Sequence, residues 1–174
     1  TPPSTMMSTE ARSGAVPPVP FVIVAGLRTG STLLSTSLNS HPSIRCYGEL
    51  FHERDFPDNQ VPGCDRHQLP AAAVIARMLE VAGPGSTIGF RAMLGHPGPA
   101  RPGWASLWND LRRLPALRVV HLERRDWLAQ YASLMIAKRN GVFHPSPECP
   151  APARRPTIRI DPEEFQRWAD GEMA

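Results

Sequence analysis

Phe21-Val-Ile-Val-Ala-Gly-Leu-Arg-Thr-Gly-Ser-Thr-Leu-Leu34 sets an apolar, β-branched run against a glycine-bounded turn and a hydroxyl-rich segment. A continuous apolar run from Phe21 to Ala25 predicts a strand buried on both faces of a parallel sheet. From Ser31 onward, Leu34 and Leu38 stand four apart with Leu33 beside them, which predicts a short helix closed by Asn39 and His41-Pro42. Strand, glycine turn and helix form the first unit.

The same alternation continues along the chain. Ile44-Arg-Cys-Tyr47 reads as a strand, and residues 70–82, with proline at the start and strong helix formers behind it, read as a helix. Thr87 to Leu94 resembles another strand. Trp104 to Leu114 has the spacing of an amphipathic helix ended by Pro115. Arg118-Val-Val-His-Leu-Glu123 is a further strand. Asp126 can cap a long helix from Trp127 to Asn140-Gly141, with Leu128, Tyr131, Leu134, Met135 and Ile136 facing inward. Residues 145–156 carry five prolines and read as an exposed loop of disordered composition. Thr157 to Ile160 is short and strand-like, and Asp161 starts a capped helix. Residues 1–20, rich in Pro, Ser and Thr, read as a flexible lead-in to a single domain over 21–174. Strands and helices in this order predict an α/β three-layer sandwich with a mainly parallel sheet, its ligand site beyond the carboxyl ends of the strands.

Composition narrows the function classes. The chain has 174 residues, 41% of them hydrophobic and 20% charged, enough to bury one core and too weakly charged for a wholly disordered protein. A net charge of +3 favours an anionic ligand but falls short of a nucleic-acid-binding polyelectrolyte. Nearly all the basic residues are arginines, whose planar fork holds phosphate or sulfate oxygens bidentately. High-GC codon usage produces the same bias. Cys46, Cys64 and Cys149 are odd in number and lack metal-ligand spacing, so neither a disulfide framework nor a metal site is predicted. With no membrane-length apolar stretch and no secretory pattern, a cytoplasmic setting is expected.

The turn Gly26-Leu-Arg-Thr-Gly-Ser-Thr32 has the parts of an anion-binding loop: glycines, unpaired N–H groups at a helix start, Arg28, and the hydroxyls of Thr29, Ser31 and Thr32. It is not a Walker A loop, which needs one more residue between its glycines and a lysine after the second. The bland alternative is an ordinary strand-to-helix turn capped by Ser31. A second strand-to-helix junction, Val119 to Ser133, carries Arg125 at its turn and Ser133 eight residues on. Eight residues advance the helix about 12 Å and leave about 80° of rotation, so an extended arginine can lean toward the serine's ligand.

Together these segments resemble the sulfotransferases that use 3′-phosphoadenosine 5′-phosphosulfate, in particular their bacterial carbohydrate and natural-product branch. The family's 5′-phosphosulfate loop, Pro-Arg/Lys-Ser/Thr-Gly-Ser/Thr-Thr, is matched by Leu27-Arg28-Thr29-Gly30-Ser31-Thr32, with leucine for the usual proline. Its 3′-phosphate motif is matched by Arg125 and Ser133. Tyr47-Gly48-Glu49-Leu50-Phe51 resembles the family's Gly-Glu stretch, and Ile88-Gly-Phe-Arg-Ala-Met93 its later Gly-x-Lys/Arg strand. The likeness spans residues 21–144, with an echo at 158–164, and implies a P-loop-like fold.

The resemblance implies sulfuryl transfer to a hydroxyl or amine of a carbohydrate or small natural product, without a metal, leaving adenosine 3′,5′-bisphosphate. Arg28 would stabilise the leaving oxygen, and Thr29, Gly30, Ser31 and Thr32 would hold the 5′-phosphate. Arg125 and Ser133 would hold the 3′-phosphate, with Arg124 as the alternative register. Glu49 is the first choice for the base, against His52 and His121. Arg91 is read first as a surface salt bridge, against a contact to acceptor or cofactor, and Trp104, Trp108, Trp127 and Trp168 first as packing, against stacking on a sugar or adenine. Acceptor selectivity is expected in the loops 52–68 and 95–103.

Family members normally continue into another strand and a basic loop, so the chain reads as C-terminally shortened, with an unpaired sheet edge as the expected consequence. It would be a fragment, an enzyme completed by a partner or second copy, or a non-catalytic nucleotide-binding scaffold.

Overall fold

The computed structural model of the protein describes residues 16–95, 101–143 and 156–173. Four parallel strands, β1 (Val19–Ala25), β2 (Ile44–Glu49), β3 (Thr87–Met93) and β4 (Arg118–Leu122), lie in the order β2-β3-β1-β4. Between and after them run α1 (Ser31–Asn39), α2 (Ala71–Glu80), α3 (Leu107–Arg113), α4 (Trp127–Asn140) and α5 (Pro162–Met173). The α/β expectation is met, among the described residues, by an all-parallel sheet with five helices.

Strand alternation divides the core in two. Val22 of β1, Tyr47 of β2 and Ile88, Phe90 and Ala92 of β3 pack with Val74, Ile75 and Met78 of α2 and Leu107 and Leu111 of α3. Phe21, Ile23 and Ala25 point the other way, with Cys46 and Met93, toward Leu34 and Leu38 of α1. Helices therefore cover both faces of the central strands, and β1 reads as a continuous apolar run because both of its faces are buried. Trp104, 1% exposed, closes the first cluster edge-on to Phe51 and donates its indole N–H to the carbonyls of Arg66 and Leu69, so its role is packing. Trp108 is partly buried against the same cluster.

Local signals place the helix ends well. Asp126 Oδ1 accepts from the Ala129 amide at 2.8 Å, and Gly141 ends α4 in the left-handed conformation. Asp161 Oδ1 accepts from the amides of Glu163 and Glu164 at the start of α5. α5 lies on α4 through Tyr131, Phe165, Trp168 and Trp127.

Four expectations need correction. The lead-in ends earlier than residue 20, because Val16 accepts from the Gly85 amide and Val19–Pro20 already belong to β1. Residues 157–160 form no strand: no ladder partner lies beside them among the described residues, and the Thr157 carbonyl is taken by Arg139. Leu128 is 53% exposed, since the buried stripe of α4 runs through Gln130, Tyr131, Leu134 and Ala137. The helix expected from Trp104 begins as a 3-10 turn at Pro102–Trp104 and becomes α-helical only at Leu107. The proline-rich stretch 145–155, Cys149, residues 1–15 and residues 96–100 of the second selectivity loop lie outside the described residues. β4 is an edge strand, and Val119 and Val120, pointing to opposite faces, are 60% and 39% exposed.

Candidate functional site

The turn from β1 to α1 crosses the carboxyl edge of the sheet. Gly30 has φ 99°, and a Cβ built on it would meet nothing within 4 Å, so the glycine is required by the backbone and faces open space. Arg28 takes φ 61° without being glycine, a conformation that costs about 1 kcal/mol or more and persists only where its surroundings impose it. Those surroundings come from the second junction. Gln130 Nε2 donates to the Leu27 carbonyl at 2.8 Å, and Arg124 Nη1 to the Arg28 carbonyl at 3.3 Å. Arg28 Nε donates to Ser133 Oγ at 3.0 Å and its Nη1 to the Phe143 carbonyl at 2.6 Å. Thr29 Oγ1 closes the turn on the Gly26 carbonyl. Among the described residues no side chain caps α1, and no acid stands in its first turn, so the helix start presents a positive end to the cleft.

A cleft of about 290 Å³ lies over this edge, lined by Leu27, Arg28, Gly30, Ser31, Thr32, Glu49, Met93, Arg124, Ser133 and Phe143. Loop cation, hydroxyls, serine and carboxylate, singled out from separate parts of the chain, thus share one concavity. Of the tandem arginines it is Arg124, half buried, that lines it. Arg125 is exposed and stands outside the lining. Thr29 lies on the other side of the loop, in a neighbouring cleft of about 260 Å³ that also contains Arg124, His121, Glu123, Trp127 and Trp168.

Glu49 reaches the first cleft through an irregularity in β2. Tyr47 pairs with Phe90, but Glu49, not Gly48, pairs with Arg91, so the extra residue switches Glu49 to the α1 face. Its side chain is 10% exposed, with Oε1 3.7 Å from Arg91 Nη1. His52 lies away from the cleft, its ring 5.1 Å from that of Phe56 and its Nδ1 accepting from the Arg54 amide. His121 sits in the neighbouring cleft, its Nδ1 3.5 Å from Glu123. Of the three base candidates, only Glu49 faces Arg28 across a shared cavity.

Arg91 is not a surface salt bridge. It is 4% exposed and meets Thr32, Glu49 and Asp58 inside the protein.

The loop after β2 is held by residues that the sequence did not single out. Arg66, 1% exposed, donates to the carbonyls of Leu50, His52 and Arg54 and to Asp55 Oδ1. Asn59, fully buried, donates to the carbonyls of Glu49 and Arg54 and accepts from the Phe56 amide. Hydrogen bonds from Gln60, Arg66 and His67 hold the Asp55 carboxyl well below the usual carboxylate range. Burial pushes the Cys46 thiol up to about 12, against a smaller opposing pull from Arg91. Arg66 is one of two arginines in this loop, and nothing in the sequence sets it apart from Arg54.

In chemical terms the cleft offers two guanidinium groups, three hydroxyls and a helix start for a multiply charged anion, with a carboxylate opposite. No helix among the described residues is long and apolar enough to cross a membrane. No protein-family model, curated protein or solved structure matches the chain.

Proposed function

We propose that this is a P-loop-like sulfotransferase that moves a sulfuryl group from 3′-phosphoadenosine 5′-phosphosulfate to a hydroxyl or amine of a carbohydrate or small natural product. One observation carries the reading. The Arg28–Ser133 hydrogen bond joins the anion loop to the second junction inside a cleft that Arg124 and Glu49 also line. The amides and hydroxyls of Gly30, Ser31 and Thr32 receive the 5′-phosphate, with Thr29 shaping the turn. Ser133 and Arg124 receive the 3′-phosphate, Arg124 taking the place first expected of Arg125.

In the reaction the acceptor oxygen attacks sulfur, and the bond from sulfur to the bridging phosphate oxygen breaks. The acceptor proton passes to Glu49. Arg28 stabilises the negative charge that grows on the bridging oxygen, and adenosine 3′,5′-bisphosphate leaves. Positioning and charge stabilisation are the main needs of such a transfer, and no metal enters it. The work is assigned to a reducing cytoplasm, in keeping with the free Cys46 and Cys64 thiols.

The test is transfer of radiolabelled sulfate from the donor to a panel of sugar and natural-product acceptors. Wild type is expected to transfer, and Arg28→Ala and Glu49→Gln are expected to fall by about a hundredfold or more. Among the described residues β4 has no neighbour on its outer edge and its Val119 and Val120 are exposed, which favours a second reading, a non-catalytic nucleotide-binding scaffold that joins a partner or a second copy there. Bisphosphate binding without transfer to any acceptor would select it.

A further inference from the structure

We propose that Arg91, with Asp58 beside it, is a positioning residue that ties the two ends of the cleft together from one buried guanidinium. The inference rests on reading the cleft as an anion site facing Glu49, and concerns residues which that reading leaves without a role. Arg91 does not line the cleft. Its Nη1 donates to Thr32 Oγ1 at 2.6 Å and lies 3.7 Å from Glu49 Oε1, while its Nη2 lies 3.3 Å from Asp58 Oδ2. Thr32 and Glu49 both line the cleft, so Arg91 acts through them.

Two independent features of the backbone serve this contact. The irregular pairing of β2 brings Glu49 level with Arg91. Gly48, the residue left over, gives Asp58 its path: a Cβ there would fall 2.2–2.5 Å from the carboxyl group of Asp58. Any other residue at 48 would force the carboxylate to shift from its present position. Arg91 Nε is buried without a hydrogen-bond partner among the described residues, so the whole polar engagement of the guanidinium runs through its two Nη groups.

The electrostatic consequence has a definite sign. Asp58 and Glu49 together offset the buried positive charge that stands one hydrogen bond behind Thr32. Removing the charge of Asp58 while keeping its shape leaves more positive potential at the loop, and an anion there gains affinity. A purely structural Asp58 gives no gain on replacement. Arg91→Lys keeps the charge but loses the fork that reaches Thr32, Glu49 and Asp58 at once.

Calorimetric titration with inorganic pyrophosphate and with adenosine 3′,5′-bisphosphate, at low and at high salt, tests the proposal on wild type, Asp58→Asn and Arg91→Lys. Asp58→Asn is expected to tighten binding about threefold at low salt, a gain that shrinks at high salt. Arg91→Lys is expected to weaken it about fivefold. Unchanged or weaker binding by Asp58→Asn overturns the proposal. Should Arg91→Lys fail to fold, the isosteric, half-exposed Asp58→Asn decides alone. Pyrophosphate bound with this pattern while the nucleotide is not bound upholds the role of Arg91 and overturns the nucleotide reading. Nucleotide bound equally by all three proteins does the reverse, and binding of neither probe to wild type overturns both.

Discussion

The guanidinium of Arg28 donates a 3.0 Å hydrogen bond from Nε to Ser133 Oγ, joining two residues 105 positions apart. Both belong to strand-to-helix junctions, one after β1 and the other after β4. Parallel pairing sets β1 and β4 side by side, with Ala25 level with Leu122, so the segments that leave them emerge at the same edge. Shared topology, and not sequence proximity, makes the cleft.

Ser133→Ala removes the acceptor of that bond and one of the hydroxyls assigned to the 3′-phosphate. Binding of adenosine 3′,5′-bisphosphate should weaken about tenfold, as for loss of one hydrogen bond to a charged group. Binding of adenosine 5′-phosphate, which lacks the 3′-group, should change by less than about twofold on the same scale. Equal losses for both nucleotides in parallel titrations would remove Ser133 from the 3′-phosphate site.

Gly30→Ala should destabilise the protein by about 1–2 kcal/mol, because a left-handed residue acquires a Cβ. No neighbouring atom stands within 4 Å to add a clash. Gly30→Asn should cost less, since asparagine tolerates this conformation better. Urea denaturation of the three proteins checks the order. A loss as large for asparagine as for alanine would place the cause elsewhere.

Asp55 gives the loop after β2 a predictable response to acid. Its carboxyl is held below the ordinary value, chiefly by Gln60 and then by Arg66 and His67, so its stabilising contribution is complete above that ordinary value. The contribution is lost as the pH falls from there toward the lowered folded value. Asp55→Asn should therefore melt earlier than wild type at neutral pH, and the gap should narrow in acid. Asp55 is largely exposed, which keeps the gap small and salt-sensitive. Thermal melts from about pH 7 down to about pH 2.5 follow it. A gap that is constant with pH would contradict the assignment.

Cys46 is 1% exposed with its thiol pushed up to about 12, so it stays protonated and shielded at neutral pH. Iodoacetamide should leave it unmodified in the native protein and label it in denaturant, as read by peptide mass spectrometry. Rapid native labelling would show that the packing between β2 and α1 opens readily.

The parts of the site written in local sequence were legible. Phe21 to Ala25 followed by a glycine turn and hydroxyls announces strand, loop and helix without outside help, and Asp126 and Gly141 mark the ends of α4 by capping chemistry. What stayed hidden depends on contacts distant in sequence. Gln130 looks like a surface residue of α4, yet it is buried because the Leu27 carbonyl needs a donor. Asp58 acquires meaning only beside Arg91, and the irregular pairing at Gly48 has no signature in composition or period. Thr157-Ile-Arg-Ile160 shows the converse: these strand-like residues form no strand where no neighbour among the described residues completes their hydrogen bonds.

The most direct measurement is a crystal structure of the protein soaked with adenosine 3′,5′-bisphosphate. The 5′-phosphate should lie on the amides of Gly30, Ser31 and Thr32, and the 3′-phosphate between Arg124 and Ser133, with Glu49 facing the 5′-end. A nucleotide seated outside this cleft, or held there with either phosphate turned away from these groups, would contradict it.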